Sequence, residues 1–485
     1  MQAEKMIPAS MRDPILSLES DATSFSRGRV HVIGVAGTGV RGMVHLLHQR
    51  GIRITGSEML DSPVLDVFRG CGIDCRVGHS SVNVDGDTKM VLISAAVSET
   101  NPEVREAKSL RIPVVKYAQL LGMLMAEKAG IAVAGTHGKT TTTAMISLVL
   151  KTAGLDPTFL IGGDYPALGG SSRWGRGPHF VAEACEFDRS FLNLRPKISV
   201  VTNIEEDHLD YFDSLKDIQN AFADFVSILP EDGYLVVNRE DPNSNYLSEF
   251  CRSKVGTFGL RPGAADWWAE SITPEGAGTR FHVVSNDGEQ ARFRLRVPGV
   301  HNVLNCLATV AVCRRAGVPL ETVAQILEGF SGVRRRFEIL TRGPVLVVDD
   351  YAHHPTEILA VLRAARESLR GRRLIAVFQP HQHSRLKFFR EQFADVLARF
   401  DKTIVTEVYR ARDKEDDARM VQSDSLVRAV NDCRPSSPTI YSPCFSDVLS
   451  TLGSIARDGD AVIFMGAGDI TDLAMNYARL VGGTV

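Results

Sequence analysis

The stretch AVAGTHGKTTTTAM, residues 132–145, decides how this chain is read. Three apolar residues, Ala132 to Ala134, run into Gly135-Thr136-His137-Gly138-Lys139-Thr140, and more threonines follow. A buried strand that ends in a glycine turn before a helix directs backbone N–H groups at an anion. Lys139 adds a point charge, and Thr140 or Thr141 offers a hydroxyl to magnesium. The pattern predicts a nucleoside triphosphate site. It is a shortened form of the usual phosphate loop, because Val133 stands where the longer spacing needs a glycine.

At 485 residues the chain has material for two to four domains. Lys and Arg number 55 against 58 Asp and Glu, and no block of like charge stands out. That excludes a long nucleic-acid track and a basic membrane-binding patch. No apolar run reaches the roughly 18 residues of a membrane span. Residues 1–28 read as a loose extension without the apolar core of a signal peptide. Eight cysteines form neither a CxxC pair nor a zinc pattern, so reduced thiols acting as small hydrophobes in a cytoplasmic protein are expected. ARDKEDDARM, 411–420, reads as a solvated charged loop.

Working outward, three α/β segments emerge. In the first, a strand over Val30 to Val35 meets Gly34, Gly37, Gly39 and Gly42 before a helical pattern through Met43, Leu46 and Leu47. A second strand, Ile52 to Thr55, ends in Gly56-Ser57-Glu58. This is a βαβ unit with a phosphate-binding turn and an acid about 20 residues on; such turns bind NAD, a UDP group or nothing. Strands are also expected at 90–97 and 112–117. The second segment adds strands at 180–184 and 198–204, a β-hairpin across the Asn-Asp-Gly turn within 281–297, and a helix from His301 to Arg315. The third has strands at 344–352, 374–380, 402–408 and 461–468, with helices at Thr356 to Ser368 and Phe388 to Phe400. The expected class is α/β with three domains. They are Rossmann-like at the N-terminus, a P-loop ATPase-type parallel sheet with a β-hairpin annex at the centre, and Rossmann-like at the C-terminus. The boundaries fall at 29–128, 129–337 and 338–485.

Polar residues gather where the strands end, as in ligand-binding open sheets. Glu183 ends VAE, and His208 follows in NIEEDH; a carboxylate and an imidazole there suit magnesium beside phosphates. Asp207 is a second ligand or a partner for His208. In VVDDYAHHPTE, Asp349 or Asp350 suits a ribose, and His353 and His354 suit a substrate amine or a phosphate. In QPHQHSR, His381 and Arg385 suit a carboxylate. His301, Asn302 and Asn305 share one helix face, where amides suit adenine edges. Arg334 to Arg336 sit at the presumed hinge, from which an arginine reaches a γ-phosphate.

The motifs GVAGTGVRGM, GSE, AGTHGKTTTT, EACEFD, NIEEDHLDY, HNVLN, GVRRRF, DDYAHHPTE, QPHQHSR and MGAGDI together resemble the Mur ligase family of peptidoglycan synthesis, over about residues 29–480. The resemblance implies an ATP-dependent, magnesium-using ligase with L-alanine and UDP-N-acetylmuramate as small-molecule substrates, acting in cell-wall biogenesis as a monomer or weak homodimer. Carried over, Gly135, Thr136, His137, Gly138, Lys139, Thr140 and Thr141 would bind ATP, with Asn302, Asn305, Arg336 and Asp350 around the nucleotide. Thr140, Glu183 and His208 would hold magnesium, and Gly37, Thr38, Gly39, Glu58 and Ser94 would bind the UDP group. His354, His381 and Arg385 would handle the amino acid, with Lys139, His208, Arg336 and His354 as the catalytic set and His354 as candidate base.

Two motifs depart from the family pattern: EACEFD replaces the usual EADESD, and Gln382 and His383 replace an Arg-Tyr pair at the amino-acid pocket. Where several sister ligases carry a carbamylated lysine this chain has Phe222, which favours the alanine-adding branch. A nicotinamide-dependent oxidoreductase would leave GTHGKTTTT and DDYAHHPTE unexplained, and Lys139, Glu183 and His208 argue against a non-catalytic sensor.

Overall fold

The computed structural model describes residues 28–411 and 421–482, apart from the side chain of Thr38. All but the last residue of the expected extension 1–28 lies outside the described residues, as does all but the first of the charged loop 411–420. Among the described residues the strands form three sheets.

The first sheet is parallel and runs β3 (Asp74–Val77), β2 (Arg53–Glu58), β1 (Arg29–Ile33), β4 (Thr88–Ile93), β5 (Val114–Lys116). Val30 and Val32 of β1 pack into one core, and Ile33 joins Val91 and Ile93 in another on the opposite face. Burial on both faces explains why β1 and β4 read as near-continuous apolar runs. The strand order reverses beside β1. The crevice at that switch point therefore holds the glycine turn that leads into helix α1 (Thr38–Gln49).

The second sheet centres on β6 (Ala129–Ala134), with β7 (Thr158–Leu160), β8 (Ser172–Arg173), β9 (His179–Glu183), β10 (Pro196–Val201), β11 (Tyr234–Asn238) and β12 (Lys254–Gly259). Then come β13 (Trp267–Glu275), β14 (Gly278–Ser285) and β15 (Gln290–Leu295). The order is β15-β14-β13-β12-β11-β10-β6-β9-β7-β8. Strands β12 to β7 are parallel, whereas β13, β14 and β15 pair antiparallel. The expected hairpin annex is thus the end of a three-stranded meander. Its first strand, WWAESITPE, has only partial alternation and a register shift between Glu270 and Thr273, which hid it from a period-2 reading. Helix α2 (Lys139–Thr152) leaves β6 and packs beside α3 (Val300–Arg315); Met145, Val149, Val303 and Leu307 share their core.

The third sheet runs β16 (Glu338–Arg342), β17 (Leu346–Asp350), β21 (Ala461–Met465), β18 (Leu374–Phe378), β19 (Lys402–Val405), β20 (Ile440–Tyr441). It is parallel except for β16, an antiparallel edge strand that the apolar pattern did not reveal because every residue in it is at least partly exposed. Helices α4 (Pro355–Ser368) and α5 (His383–Leu397) follow β17 and β18. Helix α5 starts at His383, five residues before the expected Phe388, and is kinked at Phe389 (φ −110°, ψ 16°), so the sequence reading found only its second part. Of the cysteines, Cys75, Cys306 and Cys313 are buried as expected, but Cys71, Cys185, Cys433 and Cys444 are exposed.

Phe222 is fully buried and meets the Phe191 ring edge-on at 5.2 Å. A lysine there would enter a packed aromatic core. Phe222→Lys is expected to cost at least the roughly 3–5 kcal/mol of a Phe-to-Ala truncation, read as a fall in thermal midpoint that bicarbonate does not reverse.

Candidate active site

The turn after β6 is built for close approach. Gly135 has φ +128° and Gly138 φ +84°. A Cβ on Gly135 would lie 2.1 Å from Thr202 Oγ1, and one on Gly138 would lie 2.4 Å from Asn305 Oδ1. Asn203 fixes the turn from β10: its carbonyl accepts Thr136 N (2.9 Å) and its Oδ1 accepts His137 N (2.9 Å). Lys139 opens α2, and its ammonium donates to Gly135 O (2.5 Å) and Thr136 O (3.0 Å). It also meets both oxygens of Glu186 at 3.1 Å. Burial opposes the Lys139 charge, but Glu186 outweighs it and raises the pKa. Glu186, at 3% exposure, escaped the sequence reading; its signal is the second acid of EACEFD just past the strand end.

Glu183 ends β9 and accepts Gly162 N (2.5 Å). His208, at φ +53°, has Nε2 3.8 Å from Glu186 Oε1. Burial lowers its pKa, and its Nδ1 is buried without a hydrogen-bond partner. An orphaned neutral imidazole nitrogen, a carboxylate and the Thr140 hydroxyl around Lys139 are a donor set that a divalent cation fits. Phe187, from the departing motif, packs on the His208 ring at 5.2 Å.

A cavity of about 430 Å³ opens beside the turn. Gly138, Thr140, Thr141 and His137 line one side, and Arg336 and Asp350 the other. Asn302 and Asn305 line it from α3, with Phe258, Val297 and Phe330 as apolar walls that the motif reading missed. Asn302 Nδ2 donates to Pro298 O (2.7 Å), and its Oδ1 accepts Asn305 Nδ2 (3.3 Å). Both amides are therefore engaged, and Asn305 faces the phosphate turn. Strand alternation resolves the acid pair. Asp350 faces the cavity and accepts Phe337 N and Ala352 N (2.7 Å each), while Asp349 turns to Thr471 (2.6 Å). Burial pushes the Asp350 carboxyl up to about 7.

Three successive arginines join the domains. Arg334 pairs with Asp164 (3.1 Å) of the central sheet's domain. Arg335 donates to Gly466 O (2.7 Å) and Gly468 O (3.1 Å) after β21. Arg336 lies over the Tyr351 ring and 3.9 Å from Glu357.

Glu357, in the first turn of α4, is a hub that motif reading passed over. It accepts His353 N (3.0 Å) and His354 N (3.2 Å) and lies 3.3 Å from His137 Nδ1. Burial opposes its charge, yet His353 and His137 hold its carboxyl well below the usual range. In turn, despite burial, Glu205 and Glu357 raise His137 to about 9, so it is an imidazolium. His137, Glu205 and His354 bring ligand-type atoms within 4.8 Å, but this proton supplies the positive charge among them.

His354 departs from its expected role as a base. Its Nδ1 accepts Thr356 N (3.3 Å), its Nε2 lies 3.1 Å from Glu206 O, and burial lowers it to about 4. Neither nitrogen has an open lone pair for an amine proton. Arg385 also differs from a free carboxylate clamp: it is buried and donates to Asp207 Oδ1 across the domain junction (2.6 Å). Burial opposes the Asp207 charge, but Arg385 holds the carboxyl well below its usual range. His381 lies 3.1 Å from Arg385 and stacks on Tyr409.

In the first domain Gly37 caps α1, and Glu58 accepts Ala36 N (3.1 Å) and Met59 N (3.0 Å). Ser94 Oγ accepts Ala96 N (3.3 Å) beyond β4. The side chain of Thr38 is outside the described residues. Among the described residues no helix is long and apolar enough to cross a membrane.

Removing one partner of the buried Arg385–Asp207 pair leaves an uncompensated charge, typically a cost of about 3–5 kcal/mol. Asp207→Ala is expected to loosen the third domain, seen as faster amide exchange along α5.

Comparison with known proteins places these features together. Sequence models described as "Mur ligase family, catalytic domain", "Mur ligase middle domain" and "Mur ligase, glutamate ligase domain" match residues 29–129, 133–313 and 335–468. A UDP-N-acetylmuramate–L-alanine ligase of Acetivibrio thermocellus is 41% identical over 91% of this chain and 93% of its own. That of Halorhodospira halophila is 39% identical over 98% of each. The crystal structure of a UDP-N-acetylmuramate-alanine ligase from Thermotoga maritima superposes with TM-score 0.79 at 29% identity, covering 93% of this chain and 98% of its own. A murein peptide ligase from Psychrobacter arcticus gives 0.71 at 25% identity, over 94% and 99%. With all three domain models in order along one continuous chain, this protein belongs to the Mur ligase family.

Proposed function

We propose that this chain joins L-alanine to the lactyl carboxylate of UDP-N-acetylmuramate, driven by ATP, as a step of cytoplasmic peptidoglycan precursor synthesis. The observation that carries the reading is the glycine turn whose His137, Gly138, Thr140 and Thr141 line the cavity, with Lys139 held in the turn by Glu186 and with Glu183 and His208 nearby. The named function of the relatives supports the same substrates. The domains divide at 29–128, 129–337 and 338–485, and bind the UDP-sugar, ATP and the amino acid in that order. The protein acts as a monomer or a weak homodimer.

The carboxylate attacks the γ-phosphorus, the bond to ADP breaks, and an acyl phosphate forms; the amine then attacks the acyl carbon and phosphate leaves. Charge dominates the first step, because like unit charges 4 Å apart repel by about 4 kcal/mol at an effective dielectric near 20. Lys139 exchanges Glu186 for the β- and γ-phosphates, and the N–H groups of Gly138, Lys139, Thr140 and Thr141, at the start of α2, donate to the remaining phosphate oxygens. Thr140, Glu183 and His208 would hold a magnesium ion, which neutralises charge on the phosphates. Arg336 reaches the nucleotide from the hinge that precedes the third domain, and Asp350, accepting two backbone N–H groups, receives the ribose side. Gly37, Thr38, Gly39, Glu58 and Ser94 take the UDP group. Arg385, held in place by Asp207, offers its other N–H groups to the amino-acid carboxylate beside His381, with His354 shaping the pocket. The same domain contacts exclude water from the acyl phosphate.

The test is phosphate release from MgATP with UDP-N-acetylmuramate and L-alanine, L-serine or glycine, with product mass confirmed. Release is expected to need the sugar nucleotide and to be fastest with L-alanine. Preference for serine or glycine would relocate the specificity to Gln382 and His383, and no release with any of them would end the reading.

Lys139→Ala is expected to lower turnover by at least about 10²–10³-fold while UDP-sugar binding, measured by calorimetry, persists. Lost sugar binding in a folded variant would contradict the domain assignment.

A further inference from the structure

A second charged cluster lies away from the Lys139 turn, in the first domain. Glu103 stands in the first turn of the helix Pro102–Ser109, whose cap Asn101 accepts Glu103 N at 2.9 Å. Its carboxylate is fully buried. Ser57 Oγ donates to it at 2.6 Å, Asn83 Nδ2 at 2.5 Å and Ser80 N at 3.3 Å. His31 Nε2 stands 3.6 Å away and His79 Nδ1 3.3 Å. Burial opposes the charge, but His31, Ser57 and Asn83 outweigh it and hold the carboxyl at about 2. The group is therefore an anion throughout the working range.

These partners come from separate pieces of chain: β1, the end of β2, the segment after β3, and the helix itself. A buried ion bound this way is seldom the cheapest way to stabilise a core, since well-packed apolar residues often do as well. What the cluster does hold is the end of β2. Ser57 O accepts Gly34 N (2.9 Å) and Val35 N (3.1 Å), and the adjacent Glu58 carboxylate accepts Ala36 N (3.1 Å). Three consecutive N–H groups of the glycine turn are thus set by Ser57 and Glu58. The Ser57 side chain is tied to Glu103 and to His79 Nδ1 (3.0 Å).

We propose that Glu103 is a positioning residue for sugar-nucleotide binding, acting through Ser57 to hold the Gly34–Gly39 turn in its binding shape. This rests on the reading that the turn receives the UDP group. The carboxylate is needed because an amide would turn its N–H either toward Asn83 Nδ2 and Ser80 N, which only donate, or toward Ser57 Oγ, whose hydroxyl would then reverse and give up the hydrogen bond it donates to residue 103.

The experiment is a double-mutant cycle on the full-length enzyme, with Glu103→Gln, Ser57→Ala and the pair, and with Glu58→Ala as a control on the turn. UDP affinity is measured by calorimetry, and kcat and each KM by phosphate release. For Glu103→Gln the UDP Kd and the sugar-nucleotide KM are expected to rise at least about tenfold. The KM for ATP and kcat are expected to stay within about twofold, a split that general destabilisation would not produce. The pair is expected to be no worse than the poorer single variant, because both remove one linkage. Unchanged UDP affinity in Glu103→Gln with weakened affinity in Glu58→Ala would overturn the inference and spare the UDP assignment. Unchanged affinity in both would overturn the assignment and the inference with it. If Glu103→Gln does not fold, Ser57→Ala decides alone, and an unchanged UDP Kd there counts against the proposal.

Discussion

The ion pair between Lys139 and Glu186 is the contact around which the rest of the site is arranged. A cation at the mouth of a phosphate turn has to stay charged while half-enclosed by protein. Burial works against it, and the Glu186 carboxylate at hydrogen-bonding distance is the largest of the groups that outweigh it. The same carboxylate faces His208, and Glu183 sits one strand end away, so charge compensation also gathers oxygen and nitrogen donors suited to a divalent ion. The turn admits this only because Gly135 and Gly138 leave no Cβ against Thr202 and Asn305. Backbone shape, cation and acids form one constraint rather than three.

Charge also joins the domains. Arg334 and Arg335, adjacent in sequence, hold opposite sides of the junction, one on Asp164 and the other on the loop after β21. Arg385 reaches back to Asp207, and Glu357 faces the imidazolium of His137. These contacts place groups of the third domain at the edge of the phosphate turn, where the two acceptors of the proposed reaction have to meet. The third domain is thus positioned by charged contacts that lie beside the cavity. The first domain repeats the device with a separate anion, Glu103, whose ties run through Ser57 into the other glycine turn.

The departures from the family pattern have local packing consequences. Phe187, in EACEFD, covers the His208 ring and lies 5.6 Å from Tyr211. Gln382 is buried at φ +66°, with its Oε1 3.5 Å from Arg385. Phe222 occupies an aromatic core. The first two change what surrounds His208 and Arg385 without removing either side chain.

By itself the sequence determined the α/β class and the two glycine turns, and it singled out several of the side chains that line the cavity. Those signals are local: a strand, a turn and a helix N-terminus adjoin within a dozen residues, and hydrophobic periodicity records burial directly. Strand alternation could not choose between Asp349 and Asp350 until the neighbouring strands fixed which face met the cavity. Only the tertiary structure showed that Glu186 rather than Cys185 meets Lys139, that Arg385 is matched by Asp207, and that His354 spends both nitrogens on backbone groups. Glu103 and Glu357 were silent for the same reason. A carboxylate's role is set by which donors surround it, and those donors arrive from strands and loops far apart in the chain. Edge strand β16 and the start of α5 were missed because partial exposure and a kink erase the periodicity on which a one-dimensional reading depends.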